Sequence, residues 1–158
     1  MASLRQILTA REIMVTSLIT LKPDMSIFEA MKTLMRKKIS GAPVVDSSGT
    51  LIGILSELDC LRVLSSDEFY ADEQEEAGTV RDFMSGAGRT IGPDLGLYAI
   101  AHYFLTTPFR RLPVVEDGRL VGQVSRRDVL RGIEIMRRRR IPSRANDYFS
   151  VARSWSAL

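Results

Sequence analysis

Apolar residues Ile27, Ala30, Met31, Leu34 and Met35 recur at the i, i+3, i+4, i+7, i+8 spacing of one helical face. The same spacing returns 70 positions later at Leu97, Ile100, Ala101, Phe104 and Leu105. Behind each helix lie two short apolar runs, 42–45 with 51–55 and 112–115 with 120–124, which predict two pairs of strands. Ahead of each helix, Thr9 with Glu12 and Thr79 with Asp82 have the spacing of a capping box that opens a short helix. Short strands are expected near 18–21 and 89–91, and a last helix starts at Ser56 and at Ser125. The chain therefore reads as helix–strand–helix–strand–strand–helix, twice.

The repetition holds residue by residue. Thr9-Ala-Arg-Glu-Ile-Met14 resembles Thr79-Val-Arg-Asp-Phe-Met84 at an offset of 70, and Pro23-Asp24 and Pro43-Val44-Val45 return as Pro93-Asp94 and Pro113-Val114-Val115. The offset then falls to 69, pairing Gly49, Leu51, Gly53, Ser56, Asp59 and Arg62 with Gly118, Leu120, Gly122, Ser125, Asp128 and Arg131. The missing residue falls between the paired strands. There the first copy turns through Asp46-Ser-Ser-Gly49 and the second through Asp117-Gly118, a dipeptide suited to a two-residue hairpin. Each copy, near 55 residues, is short for a lone domain. Two copies packed through their sheets, with pseudo-twofold symmetry, would bury both apolar faces. This predicts an α/β fold of the α+β kind, with small sheets covered by helices. The expected partition is repeat one at 9–64, an acidic linker at 65–78, repeat two at 79–136 and an arginine-rich tail at 137–158.

Length and composition narrow the class. The 158 residues are 45% hydrophobic and 26% charged, as in a globular protein, and no apolar run nears the ~20 residues of a transmembrane helix. A lone cysteine, Cys60, leaves no disulfide framework and no cysteine-based zinc site. The start of the chain lacks the apolar core of a secretory signal, so a cytoplasmic location is expected. With one histidine, one cysteine and no triad-like arrangement, no catalytic constellation is visible, and the expectation is a protein that is not an enzyme.

The repeat resembles the cystathionine β-synthase (CBS) domain in its tandem form. The residues that carry the likeness are Met14 and Met84, the two Pro-Asp pairs, Ala42-Pro43-Val44-Val45-Asp46 and Leu112-Pro113-Val114-Val115-Glu116. Most specific are Gly53-Ile-Leu-Ser56-Glu-Leu-Asp59 and Gly122-Gln-Val-Ser125-Arg-Arg-Asp128. The resemblance, over roughly 9–136, implies a regulatory module. Such pairs bind AMP, ADP, ATP or S-adenosylmethionine in clefts between the repeats and dimerise into a flat disc. It implies that Asp59 and Asp128 hold ribose hydroxyls and that Ser56 and Ser125 contact phosphate. Backbone near Ala42 and Leu112, beside Pro43 and Pro113, would meet the adenine.

The residues support this reading physically, and also a plainer one. A helix start offers unpaired N–H groups and a positive dipole end, an anion site. A Ser with an Asp three positions on is equally a capping box that stabilises a helix with no ligand. The two copies differ in charge. Ser56 is followed by Glu57, whereas Ser125 is followed by Arg126 and Arg127, and Arg110 and Arg111 stand where the first copy has Ser40 and Gly41. Cations in a first helical turn oppose the dipole at roughly 0.3–1 kcal/mol each. Broken local rules often mark function, so the Asp128 corner is expected to be the better one for a phosphorylated ligand. The alternative is that these arginines point into solvent or pair with the acidic linker.

Outside the repeats, six acidic residues and no basic one lie in 65–78, and eight arginines against two acids lie in 126–144. The run 137–140 reads first as cations complementing a helix C-terminus. Attraction to the linker and docking of a regulated partner through the tail, with Tyr148, Phe149 and Trp155, are alternatives. Nucleic acid is disfavoured, because no helix-turn-helix, zinc finger or stacking face accompanies the run. His102 falls outside its helix's apolar face and is expected on the surface, and Cys60 is expected to act as a small buried hydrophobe. The rival to a ligand sensor is an interaction dimer with vestigial sites that works through its dimer face or its tail.

Overall fold

The computed structural model describes residues 7–71 and 77–139. The aromatic part of the tail and the middle of the acidic linker lie outside the described residues. The elements run α1 (Ala10–Ile13), α2 (Ile27–Lys37), β1 (Gly41–Val45), β2 (Leu51–Ser56), α3 (Glu57–Leu61), a 3-10 turn (Arg62–Ser65) and α4 (Asp67–Tyr70). They continue as α5 (Val80–Phe83), α6 (Leu97–Thr106), β3 (Arg111–Glu116), β4 (Arg119–Ser125) and α7 (Arg126–Arg138). The strands form two separate two-stranded sheets, β1 with β2 and β3 with β4. Mixed helices and small sheets in two repeats are thus what the chain folds into. No helix among the described residues is long and apolar enough to cross a membrane.

The compact units do not follow the repeats. One unit gathers residues 7–16, 91–114 and 121–139, and the other gathers 17–71, 77–90 and 115–120. In the first, Leu8, Ala10 and Ile13 from the head of repeat one are buried with Ile91, Leu97, Ile100, Leu112, Val114, Val124 and Val129 of repeat two. In the second, Val80 and Phe83 from the head of repeat two are buried with Leu21, Ile27, Ala30, Leu34, Val44, Leu55 and Val63 of repeat one. Each repeat supplies its leading helix to the other's core. The backbone secures the exchange. The first amides of α1 donate to the carbonyls of Leu95 (2.8 Å) and Pro93 (2.9 Å), and those of α5 donate to Met25 and Pro23 (both 2.9 Å). The capping boxes hold, with the Thr9 amide on the Glu12 carboxylate and the Thr79 amide on the Asp82 carboxylate, both at 2.8 Å.

Three sequence expectations need correction. The strands expected at 18–21 and 89–91 shrink to single bridging residues, Leu21 parallel to Val44 and Ile91 parallel to Val114. Pro23 and Pro93 follow two positions later and have no amide hydrogen to extend a ladder. The helical faces are narrower than the pattern suggested: Met35 is 70% and Leu105 66% exposed. Eight residues along a helix of 3.6 per turn carry a side chain about 80° off the starting line. His102 is half-buried rather than exposed. The hairpins form as expected. Asp117 and Gly118 both have positive φ (51° and 79°), the two-residue turn that matches strand twist. The longer first turn is held by the Asp46 carboxylate, which accepts from the amides of Ser48 (2.9 Å) and Thr50 (3.0 Å).

Candidate functional site

In each repeat the second strand runs straight into a helix through a serine. Ser56 closes β2 and caps α3, and Ser125 closes β4 and caps α7. Both corners fold as full capping boxes. Ser56 Oγ accepts from the Asp59 amide at 3.1 Å, while its own amide and hydroxyl donate to Asp59 Oδ2, both at 2.9 Å. At the second corner the Ser125 amide and hydroxyl donate to Asp128 Oδ2 at 2.7 and 2.8 Å. The plainer sequence reading is therefore built into the fold. Both aspartates are also buried, the only buried charged residues among those described. A buried carboxylate is costly unless paired, and each is paired three residues on: Arg62 with Asp59 Oδ1 at 2.7 Å and Arg131 with Asp128 Oδ1 at 2.8 Å. Neither arginine was singled out by sequence beyond its place in the repeat.

The remaining expected residues gather around these corners. In the second unit, β1 and β2 pair antiparallel with Gly41 opposite Ser56, Ala42 opposite Leu55 and Pro43 opposite Ile54, so Ala42 and Pro43 follow on the strand beside the one that ends in the serine. Ala42 and Leu112 are buried, which leaves their backbone rather than their side chains for recognition. At the second corner Leu112 and Pro113 lie on β3, the neighbour of β4. Arg126 Nη2 donates to the Phe109 carbonyl at 3.2 Å, which draws that guanidinium onto the segment bearing Arg110 and Arg111. Arg110, Arg111 and Arg127 are exposed. Arg127 lies one position on from Arg126, turned about 100° around the axis. Arg126 is thus the one of the four arginines held by a hydrogen bond to the segment that carries Arg110 and Arg111. No cation takes those places at the first corner, where Glu57 donates its amide to the Ser40 carbonyl at 2.9 Å.

One further contributor was missed by sequence. Ser85 Oγ donates to Asp59 Oδ1 at 3.0 Å. Its place directly after the repeated Met84 was the available signal, because the offset of 70 pairs it with Val15. Cys60, next to Asp59, is buried as expected, and burial first, then the charges of Asp59 and Glu57, push its thiol above the usual value. At the far end of α7, Arg137 and Arg138 both bind Glu134 on their own helix, at 2.8 and 3.2 Å.

Comparison with known proteins places this architecture. The CBS domain model matches the chain twice, at residues 10–66 and 80–135. The protein MJ1225 of Methanocaldococcus jannaschii is 35% identical over 121 residues, covering 77% of this chain and 41% of that protein. The chloroplastic CBS domain-containing protein CBSX2 of Arabidopsis thaliana is 31% identical over 133 residues, 70% of this chain and 56% of that protein. The chain thus spans about two fifths to just over half of these relatives. The crystal structure of CBSX2 in complex with AMP superposes with a TM-score of 0.69 at 31% identity, covering 82% of this chain and 98% of that one. The CBS domain pair of protein MJ0100, in complex with 5-methylthioadenosine and S-adenosyl-L-methionine, gives 0.63 at 27% identity, covering 82% and 98%. With both repeats matched and their corners formed, the chain belongs to the CBS domain family.

Proposed function

We propose that this chain is a regulatory module that binds an adenine-containing ligand, AMP, ADP, ATP or S-adenosylmethionine, and passes its occupancy to a partner protein. One observation carries the reading. The Ser125–Asp128 corner heads a 13-residue helix, and Arg126 is drawn across to the segment with Arg110 and Arg111. Helix dipole and guanidinium groups there favour the same anionic, hydrogen-bonding ligand. The CBSX2 complex with AMP and the MJ0100 complex with S-adenosyl-L-methionine support the ligand class. Ser125 and Arg126, with Arg110 and Arg111, would hold phosphate and Asp128 would hold ribose. Backbone at Leu112 and Pro113 would meet the base. Ser56, Asp59, Ala42 and Pro43 form the equivalent, less cationic corner. The ligand would shift the population of one conformation over another, by no more than its difference in affinity for the two.

Homodimerisation belongs to the same proposal. Leu61 and Leu64 after the first corner are 60% and 52% exposed, and their repeat equivalents on α7, Leu130 and Ile133, are 65% and 47% exposed. Exposed apolar residues at matching positions of both repeats suit a self-complementary contact between copies.

A second reading is favoured by a different observation: both carboxylates are already engaged within their own helices. On that reading the corners are structural and the chain acts through its dimer face. Ligand-induced shifts in thermal unfolding separate the two. At 100 times its dissociation constant a ligand adds about 2.7 kcal/mol, a rise of about 5–10 °C for a chain of this size. The expected result is a rise in the wild type and in Asp59→Ala that is absent in Asp128→Ala. A flat response to all four compounds in the wild type leaves the structural reading standing.

A further inference from the structure

The two corners share one backbone register but not one hydrogen-bond count. At the first, Ser85 is bridged to Ile54, with its amide on the Ile54 carbonyl at 2.9 Å and the Ile54 amide on its own carbonyl at 3.0 Å. At the second, Val15 is bridged to Gln123 in the same way, at 2.9 and 3.0 Å. These are equivalent positions of the repeat, and only the side chain differs. Asp59 therefore accepts four hydrogen bonds, two from Ser56 and one each from Arg62 and Ser85. Among the described residues Asp128 accepts three, two from Ser125 and one from Arg131. A carboxylate has about four acceptor positions. Asp59 has used all of them and Asp128 has one left, on Oδ1.

We infer that the residue after the repeated methionine decides which corner can take a ribose. Ser85 locks the Asp59 corner, and Val15 leaves the Asp128 corner able to accept a sugar hydroxyl. A cis-diol arriving at Asp59 must break an existing charge-assisted bond for each one it makes. At Asp128 the first hydroxyl is accepted without such a loss. The bonds lost at Asp59 are worth more than the mean because the group is buried. Arg131 also donates to the Ile13 carbonyl at 3.0 Å. That second anchor keeps its guanidinium in place when Asp128 takes a further donor. Ser85 and Val15 are positioning residues: each acts through the aspartate beside it.

This inference rests on the adenine-ligand reading, and its test distinguishes the two. The full chain is titrated calorimetrically with AMP as wild type, Val15→Ser and Val15→Ala. Val15→Ser supplies the missing fourth bond, and the expected result is a five- to tenfold loss of affinity. Val15→Ala removes the same methyls without adding a hydroxyl and is expected to stay within twofold of the wild type. Equal affinity for all three forms overturns the inference and leaves the adenine reading intact. Equal losses in both variants overturn it too, since side-chain volume would then be the cause. No binding of AMP, ADP, ATP or S-adenosylmethionine by the wild type ends both.

Discussion

Gly53 passes directly beneath Met84: a Cβ built on the glycine would stand 2.7 Å from the methionine sulfur and 2.7 Å from the Ser85 carbonyl oxygen. Gly122 stands in the same relation to Met14, with the sulfur at 2.5 Å and the Val15 carbonyl at 3.1 Å. The motif glycine of each repeat thus makes room for the head segment of the other. Gly53→Ala is expected to cost roughly 1–3 kcal/mol, because the backbone oxygen cannot swing aside as the thioether can. Gly122→Ala is expected to cost less, its backbone neighbour being farther away. Urea unfolding of the two variants checks both the size and the order.

The arginines of the second corner should read phosphate charge. Arg110→Ala and Arg126→Ala are each expected to weaken ATP binding about two- to fivefold, the range of exposed charge pairs. Binding of S-adenosylmethionine, which carries a positive sulfonium, should change less. The ATP effect should shrink as salt rises from 50 to ~500 mM. An equal loss for both ligands at all salt concentrations would show that these side chains shape the corner rather than sense charge.

A charge placed on the exposed apolar positions should separate copies. Leu61→Glu combined with Leu130→Glu is expected to convert a dimer into a monomer by sedimentation velocity. Far-UV circular dichroism should stay unchanged, because both side chains are mainly exposed. A wild type that sediments as a monomer at all concentrations rejects the dimer.

Cys60 should be a slow nucleophile. Burial, Asp59 and Glu57 all disfavour its thiolate, so at pH 8 less of it is ionised than in an ordinary cysteine. Alkylation by iodoacetamide is expected to be at least tenfold slower than in the urea-unfolded chain. It should still be climbing through pH 9 rather than levelling off. Labelling as fast as in the unfolded chain would show that the helix after Ser56 opens readily.

Much of this was legible in the amino-acid order. The paired strands, the Asp117-Gly118 turn, the capping boxes and the serine corners are local, and each is written in residues a few positions apart. The family followed from two copies of one spaced pattern. The exchange of heads was not legible. Ile13 and Phe83 are equally apolar whichever core receives them, and the choice is made by contacts far apart in the chain, such as Ala10 with Leu95. The role of Ser85 was hidden for the same reason: its place after Met84 could be read, but its partner Asp59 belongs to the other repeat. Met35 and Leu105 misled because a spacing rule has no sharp edge, and the last residue of the stripe had already turned outward.

Because each core is closed by a helix borrowed from the other repeat, half of this gene would encode a protein with an open wound. A lone ancestral repeat could have healed it only by trading heads with a second molecule, an obligate pair with two identical pockets. Carrying both copies in one chain makes that trade internal and frees the two positions after the methionine from having to be the same. Two corners that differ in charge and in hydrogen bonding can then coexist within one chain, a difference closed to any assembly of identical halves.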